Sequence, residues 1–161
     1  MSVISHPADT PPPEPNPGVD TRFLESLIGY NARRAALAII GHVLPRLEPW
    51  GLRVVDFTVL TLIAHNPGIT SRQVCAALDI LPPNLVGLVR GLEQRGWIER
   101  RDHPTDRRAQ ALYVTPRGAA VQAQAQALVS AVESSDVTHL DDVERTMLIR
   151  LLRKVYLGRN A

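Results

Sequence analysis

Residues 70–118, TSRQVCAALDILPPNLVGLVRGLEQRGWIERRDHPTDRRAQALYVTPRG, form the stretch that decides the fold. Thr70 and Gln73 have the spacing of a capping box, in which each side chain accepts a hydrogen bond from the backbone amide of the other. A short helix is therefore predicted to start after Thr70 and to end near Leu78. A second helix is predicted over 82–95, because proline is tolerated in the first turn of a helix. Two helices with so short a connection predict a helix-turn-helix.

The second of these helices has two distinct faces. Its apolar positions recur every three or four residues and predict a buried face formed by Leu85, Leu88, Val89 and Leu92. The opposite face carries Pro83, Asn84, Gly87, Arg90 and Gln94. Asn84 and Arg90 are the natural base readers, because Asn pairs with adenine and Arg with guanine, and Gly87 would allow close approach to a groove. The alternative is an ordinary surface helix.

A β-hairpin with an arginine-rich tip is predicted after this helix. Residues 97–100 and 110–114 have strand character and flank the polar loop 101–108. Such a tip can place one arginine in a narrow minor groove, where the negative potential is strongest. The alternative is a solvated charged loop.

The hairpin and its flanks resemble the wing signature of the MarR family of bacterial regulators. The matching strings are Leu92-Glu93-Gln94-Arg95-Gly96, Asp106-Arg107-Arg108 and Val114-Thr115-Pro116-Arg117-Gly118. The resemblance spans about residues 22–157 and implies a winged helix-turn-helix, mainly α with a small β-hairpin wing. It also implies dimerisation through the first, fifth and sixth helices, and repression relieved by a small ligand or an oxidant. Arg107 would then occupy the minor groove, and Asp106 would orient the wing arginines.

These observations define one candidate DNA-binding surface and one expected function. The expected function is that of a transcription regulator that binds a palindromic operator in duplex DNA sequence-specifically. It is expected to be a ligand-relieved repressor of genes for aromatic-compound metabolism or efflux. The candidate DNA-binding residues are Thr70, Ser71, Pro83, Asn84, Gly87, Arg90, Arg101, Asp106, Arg107 and Arg108.

The flanking segments predict a homodimer. Residues 1–18 contain six prolines and predict a disordered tail, and 19–161 are expected to form a single domain. Within it, 53–115 form the winged helix-turn-helix, and 20–48 and 116–157 form the dimerisation helices. Apolar stripes are predicted on the outer helices at Leu24, Leu27, Leu37, Ile40, Leu44 and Leu47, and, facing inward, at Met147, Leu148, Leu151, Leu152 and Val155. The winged module is too small to cover both stripes, so a second copy is expected to do so.

By the same resemblance, an effector site is expected where the first two helices meet the winged module. Its candidate ligand-binding residues are Tyr30, Arg34, His42 and Phe57. An arginine there could hold a small anionic or aromatic effector or its CoA thioester, although ordinary interdomain packing explains the same residues. Two alternatives stay open. Cys75 could make the protein a redox-sensing regulator, or the chain could be a protein-interaction module that has lost DNA binding.

Composition and missing motifs narrow the remaining function classes. The 161 residues are 45% hydrophobic but only 4% aromatic, which favours an aliphatic, helical core. The formal charge of +2 says little by itself about a polyanionic partner. One cysteine excludes an intramolecular disulfide, and no metal-ligand spacing, catalytic motif, membrane-length apolar run or secretory signal is present. We therefore expect a cytoplasmic protein that is not an enzyme and has no metal, cofactor or membrane partner.

Overall fold

A computed structural model of the protein describes residues 18–105, 109–134 and 139–158. These residues form helices around one three-stranded antiparallel sheet, as the fold prediction requires. In chain order the elements are α1 (Arg22–Glu25), α2 (Ile28–Leu47), α3 (Val54–His65), β1 (Ile69–Thr70), α4 (Ser71–Leu78), α5 (Pro82–Gln94), β2 (Ile98–Asp102), β3 (Gln110–Val114), α6 (Pro116–Ser134) and α7 (Asp142–Leu157). A 3-10 turn, Glu48–Trp50, follows α2 and ends at Gly51, whose φ is 57°.

Two helices begin with capping boxes. At α4, the Thr70 amide donates to Gln73 Oε1 at 2.9 Å, and the Gln73 amide donates to Thr70 Oγ1 at 3.3 Å. At α7, Asp141 Oδ1 accepts the amide hydrogen of Glu144 at 2.8 Å, while Glu144 accepts that of Asp141 at 3.0 Å. The predicted start of α4 is confirmed, because a capping box acts within four residues of chain.

The sheet contains the predicted hairpin and one further strand. β2 and β3 pair antiparallel with Glu99 opposite Tyr113, so the predicted wing strands are confirmed. β1 pairs with the other edge of β3, with Ile69 opposite Leu112. Two residues are too few to show any periodicity, so the sequence analysis did not include β1.

One apolar core joins the winged module to α2 and α6. Its largest fully buried side chains come from α2, α3, α5 and β3: Leu47, Leu60, Ile63, Leu85, Leu92 and Leu112. The helix α6 packs against both α2 and α3 and contributes the buried Ala125. The position of α5 is therefore set by the same core that holds α2 and α6.

The single helix predicted over 20–48 is wrong, because the chain breaks after α1. Leu27 is extended, with φ −92° and ψ 128°. The Ser26 hydroxyl donates to the carbonyl oxygen of Phe23 at 2.7 Å, and Asn31 Nδ2 donates to the carbonyl oxygens of Glu25 and Leu27 at 2.7 and 2.8 Å. Polar side chains that bond nearby backbone compete with the helix in this way.

The prediction that the α7 stripe faces inward is also wrong for the single chain. Every residue of α7 is exposed except the half-buried Arg145. The exposed fractions of Met147, Leu148, Leu151, Leu152 and Val155 are 43, 37, 49, 42 and 57%. On the N-terminal helices, Leu24, Leu27, Leu37 and Leu44 are 40–55% exposed, whereas Leu47 is buried. Both apolar surfaces thus lie open in one copy of the chain.

Within the described residues, no single helix is long and apolar enough to cross a membrane. Only α4 and α5 taken together reach the required length and composition, and they are bent by 116° relative to each other.

Candidate nucleic-acid interface

The α4 and α5 pair has the geometry of a helix-turn-helix. The two helices are bent by 116°, within the 90–120° typical of that motif. Asp79 makes the turn in the left-handed region, with φ 51° and ψ 44°. The amide of Ile80 then donates to the carbonyl oxygen of Cys75 at 3.2 Å, which closes the C-terminus of α4. This turn directs α5 across α4, with one face of α5 on the core.

α5 has the two faces that the sequence predicts. The side chains of Leu85, Leu88, Val89 and Leu92 are buried. The residues on the opposite face are exposed: Pro83, Asn84, Val86, Gly87, Arg90 and Gln94. A Cβ placed at Gly87 would meet no atom within 4 Å, so nothing within the described chain requires glycine there. The exposed face of α5 is therefore open along its length.

The arginines around this face divide into engaged and unengaged groups. Arg100 donates to both carboxylate oxygens of Glu93, at 2.8 and 2.9 Å, and so ties β2 to α5. The Arg101 guanidinium lies 4.6 Å from the centre of the Tyr113 ring and also bonds the Glu99 carboxylate. Arg90, in contrast, forms no ion pair within the described ranges. Arg90 is therefore the cation on α5 that stays available to an external anion.

Arg95 joins the C-terminal end of α5 to the connection between α2 and α3. It donates to the carbonyl oxygens of Trp50 and Gly51, both at 3.0 Å, and lies 4.8 Å from the centre of the Trp97 ring. Carbonyl oxygens are strong acceptors for a guanidinium, and ring stacking adds to the contact. Arg95 therefore couples the orientation of α5 to the end of α2.

A buried carboxylate lies close to this junction. Burial of Asp56 opposes its ionisation and would by itself raise its pKa. This effect is outweighed by hydrogen bonds from the Arg53 side chain and amide and by the positive charges of Arg53 and Arg95, so the pKa of Asp56 is lowered. The closest of these contacts joins Arg53 Nε and Asp56 Oδ2 at 2.8 Å. Asp56 is therefore a structural anion that secures the start of α3.

The wing is joined to α6 by the Thr115–Gly118 segment of the signature. The Thr115 hydroxyl donates to the carbonyl oxygen of Gly96 at 2.7 Å and accepts the Gly118 amide hydrogen at 3.0 Å. The Thr115 amide donates to the carbonyl oxygen of Trp97 at 3.0 Å. A Cβ at Gly118 would overlap that oxygen and lie 2.6 Å from the Trp97 carbonyl carbon. The signature thus encodes backbone packing between strand and helix.

The remaining predicted DNA-binding residues fall into three groups. Thr70 is half-buried, and its hydroxyl serves the α4 cap, whereas Ser71 is exposed at the first position of α4. Arg101 lies on β2 beside Tyr113. Asp106, Arg107 and Arg108, with their predicted minor-groove and orienting roles, lie outside the described residues.

The four predicted effector residues lie along α2 and α3. Tyr30 is half-buried, Arg34 and His42 are exposed, and Phe57 packs against the core from α3. Tyr30 and His42 are separated by about 18 Å along α2, from a rise of about 1.5 Å per residue. One small molecule could not touch both of them, although an extended thioester could.

A cavity of about 330 Å³ lies elsewhere, between α4, α5 and β2. It is lined by Ser71, Arg72, Cys75, Pro82, Leu85, Val86, Val89 and Arg100. Cys75 is half-buried and unpaired. In the described ranges, no group of three or more His, Cys, Asp or Glu side chains is placed to hold a metal ion.

Three features of this surface were missed by the sequence analysis. Val86 was not assigned to the exposed face of α5, although helical spacing from Pro83 and Arg90 places it there. The contacts of Arg95 with Trp50 and Gly51 join residues more than 40 positions apart, and no local pattern signals them. The Arg100–Glu93 pair likewise depends on how β2 folds back on α5.

Comparison with known proteins gives consistent matches. The MarR family model matches residues 50–109. A protein of Thauera aromatica assigned to transcriptional regulation of the hcr operon is 31% identical over 130 residues, which are 80% of this chain and 78% of that protein. The repressor CouR bound to a 23-mer DNA duplex is 32% identical, with a TM-score of 0.80 over 86% of this chain and 98% of CouR.

A second CouR structure, from Rhodococcus jostii RHA1 and bound to p-coumaroyl-CoA, is 28% identical. Its TM-score is 0.72 over 82% of this chain and 93% of that one. These relatives are regulators and not enzymes, so the predictions of a winged helix fold and of a non-enzymatic regulator are confirmed. The chain belongs to the MarR family of transcriptional regulators.

Proposed function

We propose that this protein is a homodimeric, sequence-specific DNA-binding repressor that releases its operator when a small ligand binds. The observation that carries the proposal is the exposed face of α5, presented by a 116° helix-turn-helix. The similarity to DNA-bound CouR, which extends over 86% of the chain, supports the same reading. In this proposal residues 53–115 form the DNA-binding module, and 20–48 and 116–157 supply the dimer interface.

Two copies of α5 would read the two halves of a palindromic operator. A symmetric dimer presents its recognition helices about one DNA turn apart, each with its N-terminal half in the major groove. Asn84 is exposed near the start of α5, and Arg90 lies six residues further along with no ion pair among the described side chains. These two residues are proposed as the polar base readers, and Arg107 as a minor-groove contact.

Removal of either polar base reader is expected to weaken specific binding selectively. Asn84→Ala and Arg90→Ala should each cost about 1–3 kcal/mol on an operator selected from random duplexes, and little on unselected DNA. Gln94→Ala, at the far end of the same helix, is the matched control and should change neither affinity. Titrations at fixed salt with both DNAs measure the difference. An equal loss on both DNAs would mean that the side chain only contacts the backbone.

The effector is proposed to be a small anionic aromatic compound or its CoA thioester. Arg34 is exposed on α2 beside the half-buried Tyr30, and no ion pair engages it in the described part of the chain. A guanidinium in this position suits a carboxylate or the phosphates of CoA. The complex of the similar CouR with p-coumaroyl-CoA supports this ligand class.

A panel of aromatic acids and their CoA thioesters should contain a ligand that weakens operator binding. By linkage, saturating operator must weaken binding of that ligand by the same factor. Calorimetry with and without DNA measures both couplings. The Arg34→Gln substitution should weaken binding of the ligand and leave the operator affinity of the ligand-free protein unchanged. If ligand affinity is unaffected by saturating operator, the compound is not an effector.

Two alternative functions make different predictions for the same preparations. A redox regulator that acts through Cys75 would lose operator affinity on mild oxidation. Its Cys75→Ser variant would keep the same operator affinity after oxidation. Cys75 lines the cavity beside α5, which is the observation that favours testing it. A protein-interaction module would enrich no sequence from a random DNA pool. The unpaired Arg90 on an open helix face argues for DNA.

A further inference from the structure

Apart from Asn84, the N-terminal half of the exposed α5 face is apolar. Pro83, Val86, Gly87 and Arg90 follow one another at helical spacings and form a stripe opposite the buried face. Val86 is 63% exposed, and Leu81, just before the helix, is 69% exposed. These side chains therefore contribute little to the core, and a solvent-exposed valine and leucine at the start of this helix call for another explanation.

The position of the stripe limits what it can recognise. The start of a recognition helix is the part that enters the major groove. Pro83 and Val86 offer no side-chain donor or acceptor, so they cannot pair with base edges. The one apolar group that base pairs present in the major groove is the C5-methyl of thymine. Gly87, with open space around its Cα, lets that part of the helix approach closely.

We propose that Val86, flanked by Pro83, contacts thymine methyl groups and makes them specificity determinants of the operator. This inference rests on the proposed function, because it requires α5 to lie in the major groove. Charge supports the same placement. Arg90 ends the stripe, and neither it nor Arg72 on the neighbouring helix is ion-paired among the described residues, so both can contact phosphates or bases around an apolar centre.

Val86 also lines the cavity between α4, α5 and β2, which gives it a competing role. A side chain that only shapes this cavity, or that meets a protein partner, would not distinguish thymine from uracil. Thymine and uracil pair identically and differ only by the C5-methyl group, so uracil substitution isolates the proposed contact.

The test is a double-mutant cycle between the protein and the methyl group. An operator is selected from random duplexes with the purified full-length protein, and each thymine is replaced singly by deoxyuridine. At one or two positions per half-site, the wild-type affinity should fall about three- to tenfold. With Val86→Ala the same replacements should change affinity by less than about 1.5-fold. Gln94→Ala is the control and should retain the full uracil effect.

Each other outcome counts against the inference in a distinguishable way. An operator whose affinity no uracil replacement alters overturns the inference and leaves the proposed function standing. A uracil effect that persists in Val86→Ala, with unchanged melting temperature, overturns the assignment to Val86. If Val86→Ala weakens binding to thymine and uracil duplexes equally, Val86 acts by shaping the cavity, and the assignment to Val86 is overturned as well. A protein that enriches no sequence overturns both proposals together.

Discussion

Gly118→Ala is expected to lower the free energy of unfolding by about 3 kcal/mol, the upper end of what overpacking costs. The added methyl would overlap the Trp97 carbonyl oxygen and lie 2.6 Å from its carbonyl carbon. These are backbone atoms of the residue just before β2, so no rotamer change can relieve the overlap. The strand, or the start of α6, must move instead. Urea unfolding followed by circular dichroism measures the loss.

Gly91→Ala provides the matched control for this substitution. Gly91 also lies in a helix, but a Cβ there meets no atom within 4 Å. Alanine should therefore leave stability unchanged or raise it by up to about 1 kcal/mol, from helix propensity alone. Equal stability of the Gly118 and Gly91 variants would show that the contact between α6 and Trp97 relaxes at no cost, contrary to our expectation.

The double substitution Leu148→Glu and Leu152→Glu is expected to weaken dimerisation more than a hundredfold. Both leucines lie on the apolar face of α7, which is open in the single chain. In a symmetric dimer each substitution occurs twice, and burial of unpaired carboxylates costs several kcal/mol, where about 1.4 kcal/mol is tenfold. The monomer should lose about 100-fold or more in operator affinity, because two DNA-binding modules are no longer linked in one molecule.

Thr146→Glu is the control for the added charge. Thr146 lies on the polar side of α7, where its hydroxyl bonds the Asp142 carbonyl oxygen at 2.7 Å. This variant should remain dimeric and bind the operator normally. Analytical ultracentrifugation and mobility shifts with whole and half operators measure both properties. A wild-type protein that sediments as a monomer, or a Leu148, Leu152 variant that stays dimeric, would refute the predicted interface.

Local signals in the sequence determined most of the secondary structure. The capping boxes at Thr70 and Asp141 act within four residues, so sequence spacing alone set the starts of α4 and α7. The apolar period of α5 set its buried face, since four leucine and valine positions can reach the core only together. The order of helices and hairpin then predicted the winged helix-turn-helix.

Only the tertiary structure decided how these elements meet. Arg95 binds backbone more than 40 residues away, and Arg100 is bound to Glu93 because β2 folds back on α5, so their roles depend on three-dimensional position. The break after α1 is local by contrast, because Asn31 bonds carbonyl oxygens four and six residues back, but apolar periodicity does not signal it. The open face of α7 depends on what packs nearby, because a hydrophobic stripe specifies that it needs a partner surface but not whose surface that is. The apolar period of a helix predicts which face is hydrophobic, but the burial of that face depends on which other elements pack against it.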